Sequence, residues 1–342
     1  LERVGFIWRR LGFLRKVSIR NVFRYKKRFI MMIMGIGGCT ALVVTALGLK
    51  DSFSDIVSAQ FREIAVYDMS VTLGNPADDV EREKLGETFD EYFDSYAFLN
   101  SSTMDIESAG AKKSANVIIA ENADELSEQY HFLSLKGGER LEYPSKGEIV
   151  LTKRLAKNLG VKKGDTLTIT DDSLNTMTVT VSAICKNYVF NYAFIAKETY
   201  IEAAGGEPEY RTVYASIKDG LDVPQTIADL LLMDEVSSAY ANADTEEQFD
   251  SMISSINYVV IMVIVLAAAL AFVVLYNLTN INITERIREI ATIKVLGFYS
   301  WETASYVFRE NFILTGIGAV LGLGLGKLLH IFVMNCINVE AV

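Results

Sequence analysis

Residues 29–49 and 258–278 are each 21 residues long and contain no charged side chain. At about 1.5 Å of rise per residue, a helix of that length matches the roughly 30 Å hydrocarbon core of a bilayer. A core helix of a globule seldom needs so long an uncharged run, so both stretches are predicted to span a membrane. A third stretch, 306–334, is apolar in its middle. Arg309 and Glu310 stand near its start, and Lys327 and His330 near its end. All four lie within snorkelling reach of an interface, and a third span is expected there. Half of the 342 residues are hydrophobic and the mean hydropathy is +0.23. That balance excludes a disordered chain and a simple water-soluble globule.

Charge sets the expected orientation. Residues 1–28 hold ten Lys/Arg, among them Arg20, Arg24 and Arg28, against the single acid Glu2. Residues 51–255 hold 17 basic and 37 acidic side chains, a balance of −20 within a chain of net charge −10. By the positive-inside bias, the first segment is cytoplasmic and residues 50–256 lie outside. Residues 280–305, with Arg286, Arg288 and Lys294, return to the cytoplasm, and a tail at 335–342 ends outside. The layout predicts a multi-pass protein of a bacterial inner or plasma membrane. The first run is too long for a cleavable signal, and Leu47-Gly48-Leu49-Lys50 is no small-residue cleavage site. Phe13, Leu14, Val17, Val22 and Phe23 interleave with the N-terminal cations. That pattern favours an interfacial helix at 1–28 on anionic lipid over nucleic-acid binding. The chain has no initiator Met, which raises the expectation of an excised piece of a longer protein.

The segment between the first two spans reads as an α+β domain, because strands and helices mix without strict alternation. Strands are predicted at 64–73, 97–106, 115–120, 166–170, 177–184, 189–195 and 212–217. Helices are predicted at 77–93, 124–130, 152–159, 197–203 and 224–233. Asn122 and Thr152 are candidate N-caps and Gly160 a C-cap. From Gly147 to Ile169 a strand enters a short helix, and Gly164-Asp165 turns into the next strand; this reads as scaffold. Phe53, Ile56, Val57, Phe61 and Ile64 after the first span, and Phe249, Ile253 and Ile256 before the second, have helical spacing. They predict two amphipathic stalks that continue the spans outward.

Between the second and third spans, Thr284 is a candidate N-cap. Glu285 suits a helix start, Lys294 a last turn, and Gly297 a C-cap. A short charged helix lying flat beneath the membrane is expected. In the third span Gly318, Gly322 and Gly326 have the four-residue spacing of close helix packing. Gly322, Gly324, Gly326 and Lys327 superficially resemble a phosphate loop, but the spacing is wrong and no Ser/Thr follows the lysine. No catalytic residues and no metal site are expected. His131 and His330 are far apart, the three cysteines form no ligand pattern, and Asp78-Asp79 and Asp171-Asp172 read as surface acids.

The run Glu285-Arg286-x-Arg288-Glu289-Ile290-x-x-x-Lys294-x-Leu296-Gly297, then Phe308-x-Glu310 and Gly316, resembles the FtsX/MacB-type permeases of the ABC transporter superfamily. The lead-in Arg20-Asn21-Val22-Phe23-Arg24 and the Gly147–Leu167 stretch are similar to the same family. The resemblance covers the chain in order. It implies that the helix between spans two and three docks on a separate ABC ATPase. Glu285, Arg286, Arg288, Glu289, Lys294 and Gly297 would then lie at the interface. This chain would hold no cofactor of its own, with ATP and Mg²⁺ on the ATPase. Membrane lipids and a homodimer mate or second permease unit are the further partners implied. The implied output is movement of the outer domain for export, lipoprotein or lipid extraction, or peptide handling. The alternatives are a regulatory scaffold that activates a cell-wall hydrolase, and a peptide sensor without transport. Ala291 stands where the family often has Gly, and the family's fourth span is missing.

Overall fold

The computed structural model describes residues 26–336 except 109, 286, 296 and 298. The interfacial helix expected at 1–28 lies outside the described residues up to residue 25, as does the tail from residue 337. The chain divides into two compact units. One is helical and takes the described residues up to Phe53 and from Ile253 onward; the other is Ser54–Met252.

The helical unit draws on α1 (Lys26–Ala59), α7 (Asn242–Glu285), α8 (Ile287–Val295) and α9 (Ser300–Cys336). Among the described residues, three helices are long and apolar enough to cross a membrane: Ile33–Ile64, Asn242–Glu285 and Phe312–Cys336. At about 1.5 Å per residue the 44-residue α7 measures roughly 66 Å, twice what a bilayer core requires. Leu321, Leu323, Leu325 and Leu328 of α9 are exposed, while Leu314, Gly318, Gly322 and Gly326 are buried. A buried face of mostly small residues with leucines around it is the pattern of a helix packed in lipid. Thr284 does not start a helix. It sits inside α7, where its Oγ1 donates to the Asn280 carbonyl at 2.9 Å.

The second unit is built on nine strands: β1 (Met69–Leu73), β2 (Phe93–Ser108), β3 (Ala111–Ala120), β4 (Glu148–Thr152), β5 (Thr166–Thr170), β6 (Thr176–Cys185), β7 (Tyr192–Ile195), β8 (Thr212–Ile217) and β9 (Val236–Ala241). Their order is β3-β7-β4-β6-β5-β2-β8-β1-β9, with β2 also paired to β3. That extra pairing closes β2, β3, β7, β4, β6 and β5 into a six-stranded ring. Alternate residues of every ring strand, such as Ile106, Val117, Ile149, Leu167, Val179 and Ala193, fill one core. The short helix α4 (Lys153–Leu159) adds Leu155, Ala156 and Leu159 to it. Gly160 ends α4 at φ +70°, a left-handed conformation that glycine adopts without strain. The 147–169 stretch thus contributes Ile149, Leu151, Leu167 and Ile169 to the same core.

The long strand β2 is shared. Its first half pairs with β8 in the antiparallel sheet β2-β8-β1-β9, and its second half belongs to the ring. One face of that sheet packs Met69, Val71 and Leu73 against α2 (Asp79–Tyr92) and α6 (Val223–Leu230) through Leu85, Phe89 and Leu230. The remaining helices are α3 (Ala123–Gln129) and α5 (Lys197–Ala204).

Two predicted elements differ, and one strand was not expected. The strand expected at 64–73 begins only at Met69. Gln60–Ile64 instead forms a π-helical turn, whose Gln60 Oε1 accepts the Tyr188 amide at 2.9 Å. The strand expected at 189–195 begins at Tyr192. Asn187 Nδ2 donates to the Val189 and Phe190 carbonyls and Phe190 has φ +62°, so the chain turns there. Strand β9 went unpredicted because Val236-Ser-Ser-Ala-Tyr240 barely alternates; its pairing with β1 is what makes it a strand. Asn122 caps α3 through the Asp124 amide at 3.0 Å. Thr152 precedes α4, but its buried hydroxyl makes no cap bond and has no partner among the described residues.

Candidate functional site

The loop between the second and third candidate spans folds as α8. Its Arg288 and Lys294 are exposed, and so are Ile287 (61%) and Val295 (88%). Tyr299 and Trp301 beyond it are 72% and 70% exposed. Gly297 follows at φ +88°, its amide bonded to the Lys294 carbonyl at 3.1 Å. Glu285 is the last residue of α7, Glu289 lies within α8, and Arg286 lies outside the described residues. The arrangement is a nine-residue helix whose cations and large apolar side chains both meet solvent.

The glycine seam packs against α1. A Cβ at Gly322 would stand 2.6 Å from the Thr40 Cβ and 2.7 Å from the Gly37 carbonyl oxygen. One at Gly326 would stand 2.7 Å from the Val44 Cβ, and one at Gly318 3.3 Å from the Ile36 Cβ. The Thr45 hydroxyl donates to Ala41 within its helix at 2.7 Å and lies 3.1 Å from the Gly326 carbonyl. His330 Nε2 meets Ser52 Oγ at 3.1 Å.

The α+β domain contains a charged cleft of about 760 Å³. Its centre is Arg82, 9% exposed, from the first turns of α2. Arg82 Nε donates to Glu121 at 2.8 Å and Nη1 to the Ala77 carbonyl at 2.8 Å, while Nη2 pairs with Asp79. Its guanidinium stands 4.7 Å over the ring of the buried Tyr210. Burial, opposed by a hydrogen bond from Asn122, pushes the nearby Glu125 carboxyl up, as do the charges of Glu121, Glu128 and Asp124. Arg82 is not among the residues expected from the sequence. The signal was there: a cation near a helix N-terminus opposes the dipole and needs a tertiary reason to be there.

Three of the four paired acids hold local structure, and Asp172 is exposed. Asp78 caps α2 by accepting the Glu81 amide at 2.8 Å, in a capping box, and Asp79 binds Arg82. Asp171 accepts the Asn175 amide at 2.8 Å and closes a turn. His131 lies between the Glu63 carbonyl (3.0 Å) and Arg140 (2.8 Å). Burial first, and the Arg140 charge second, hold its pKa below the usual imidazole value. Burial pushes the Cys185 thiol up to about 12, against the lowering effect of a backbone hydrogen bond. At pH 8 that leaves about a thousandth of the usual thiolate. Cys185 is therefore expected to resist iodoacetamide in the native chain and to react within minutes in denaturant, read by peptide mass spectrometry. Native-state alkylation at the rate of an exposed cysteine would show the burial to be wrong.

Comparison with known proteins adds the following. The MacB-like periplasmic core domain matches residues 29–231, and the FtsX-like permease C-terminal matches residues 261–340. Among solved structures, the extracellular domain of the noncanonic ABC-type transporter YknZ from Gram-positive bacteria aligns at 12% identity and TM-score 0.35, over 50% of this chain and 98% of that one. The periplasmic region of MacB from Actinobacillus actinomycetemcomitans aligns at 13% identity and TM-score 0.36, over 57% and 97%. A domain of a permease protein from Porphyromonas gingivalis aligns at 11% identity and TM-score 0.29, over 48% and 80%. No curated protein matches.

Proposed function

The chain belongs to the FtsX/MacB-type ABC transporter permeases, membrane proteins with a MacB-like periplasmic core domain and an FtsX-like C-terminal, and from that premise we propose that it transmits the ATP cycle of a separate ATPase to its α+β domain. In this reading the N-terminal cations and α8 face the cytoplasm and the α+β domain faces outward, as the Lys/Arg bias favours. The single observation that carries the reading is the exposed surface of α8, where Arg288 and Lys294 share nine helical residues with the solvent-facing Ile287 and Val295. The ATPase would cover those apolar side chains and pair with the two cations. ATP and Mg²⁺ would then be held by that partner. Helices α1 and α7 contain residues of both units, which suits them to carry displacement as rods. At the domain end, Phe61 and Phe249 have ring centroids 5.6 Å apart, and Arg62 Nε donates to Glu246 at 2.9 Å.

The test is charge reversal on the full chain, with Arg288→Glu and Lys294→Glu combined. Both side chains are exposed, so the fold should survive. Retention of the cognate ATPase on the purified permease is expected to fall at least about tenfold, the scale of losing central charged contacts of an interface. Unchanged retention, with ATP turnover still responding to the permease, would remove α8 from the interface.

A further inference from the structure

A cavity of about 250 Å³ lies in the α+β domain, on the sheet face opposite α2 and α6. Its construction follows from strand register. On adjacent strands Ser70 of β1 stands directly between Tyr214 of β8 and Tyr240 of β9. A small residue flanked by two large ones leaves a hollow, and Tyr67, Tyr130 and Tyr192 complete its aromatic lining. Tyr67 stacks on Tyr214 with ring centroids 4.0 Å apart and planes within 10°. The stalk ends contribute too: Gln60 and Phe61 from the π-turn, Asn242 and Thr245 from α7. Phe190, in its left-handed conformation, also lines the space.

Two features select a ligand. No charged side chain lines the cavity, which disfavours an ion. Ser70, 3% exposed, lines the cavity among uncharged neighbours and brings a hydroxyl to its wall. A buried polar group of that kind normally finds a partner. A dry apolar cavity of about 150 Å³ already accommodates benzene, so this volume admits one ring with a substituent. We infer that the cavity binds a small, uncharged, single-ring molecule, its ring against the tyrosines and its one hydrogen-bonding substituent on Ser70. Offset aromatic packing supplies the affinity, and the Ser70 hydroxyl fixes the orientation.

The experiment uses the full chain in lipid nanodiscs and a phenol bearing a photoreactive diazirine. Peptides containing Tyr67, Tyr192 or Tyr240 are expected to be labelled saturably, and excess p-cresol should reduce that labelling at least fivefold. Ser70→Phe, which fills the hollow from the sheet, should do the same. Thr245→Phe fills it from α7 and decides the matter if the sheet variant does not fold. Labelling confined to the spans, or domain labelling indifferent to p-cresol, overturns the site. Choline competing better than p-cresol overturns the uncharged ligand class. None of these outcomes depends on the ATPase reading of α8.

Discussion

Gly322→Leu is expected to pull α9 away from α1. A Cβ at that position already falls 2.7 Å from the Gly37 carbonyl oxygen, a backbone atom that no rotamer change can clear. Leucine adds three more carbons along the same direction. Overpacking a rigid contact costs about 1–3 kcal/mol even when side chains can yield, and here the helices must separate. Separation also removes the contact between Thr45 and the Gly326 carbonyl and exposes Cys39 and Ala41, both buried now. Lipid gives no hydrophobic drive to restore the pair, since its chains are as apolar as the seam. The pairing can be read by a disulfide between Ile36→Cys and Gly318→Cys, whose Cβ atoms would be about 3.3 Å apart, in a chain with Cys39→Ala. The bridge should form rapidly in the parent and fail with Gly322→Leu, and the thermal midpoint in detergent should drop. Equal bridging in both would mean that the seam does not hold the helices. Gly324 offers the control: nothing lies within 4 Å of its Cβ position, so Gly324→Leu should leave bridging intact.

Arg82→Met is expected to have the second large effect, in the α+β domain. The substitution keeps most of the aliphatic volume and removes the contacts to Glu121, the Ala77 carbonyl, Asp79 and Glu207, and the cation over Tyr210. Glu121, 30% exposed, would keep its charge with its near cation gone. Breaking a buried pair from one side costs about 3–5 kcal/mol; Asp79 is largely exposed and Glu121 30% exposed, so screening by water places this case below that range. Arg82→Lys should recover little of it, because a single ammonium cannot reach Glu121, Asp79 and the Ala77 carbonyl in three directions. Urea titration followed by near-ultraviolet circular dichroism measures the loss. A variant as stable as the parent would reduce the Arg82 node to surface decoration.

The elements legible in the sequence were those whose cause is local. The uncharged runs ending at Leu49 and Leu278 need only their own length. The α4 segment carries its apolar face and its terminating Gly160 within eight residues, and Asn122 caps α3 through an amide two residues away. Where the cause was distant, the reading slipped. The strand expected at 64–73 begins only at Met69, because Gln60 is held by the Tyr188 amide, 128 positions away, and the chain makes a π-turn through Ile64. Residues 189–191 look extended, but the Asn187 side chain folds them back.

The sequence by itself determined that three helices of membrane-spanning length and composition flank an α+β domain, because hydrophobic length and periodicity are properties of contiguous residues. Only the tertiary structure decided that β2 through β7 close into a ring, that Arg82 is gripped by Asp79 and Glu121, and that five tyrosines scattered from 67 to 240 line one hollow with Ser70. Those features rest on strand register and long-range pairing. A one-residue slip of β1 would turn Ser70 to the opposite face without altering any local pattern that can be read along the chain.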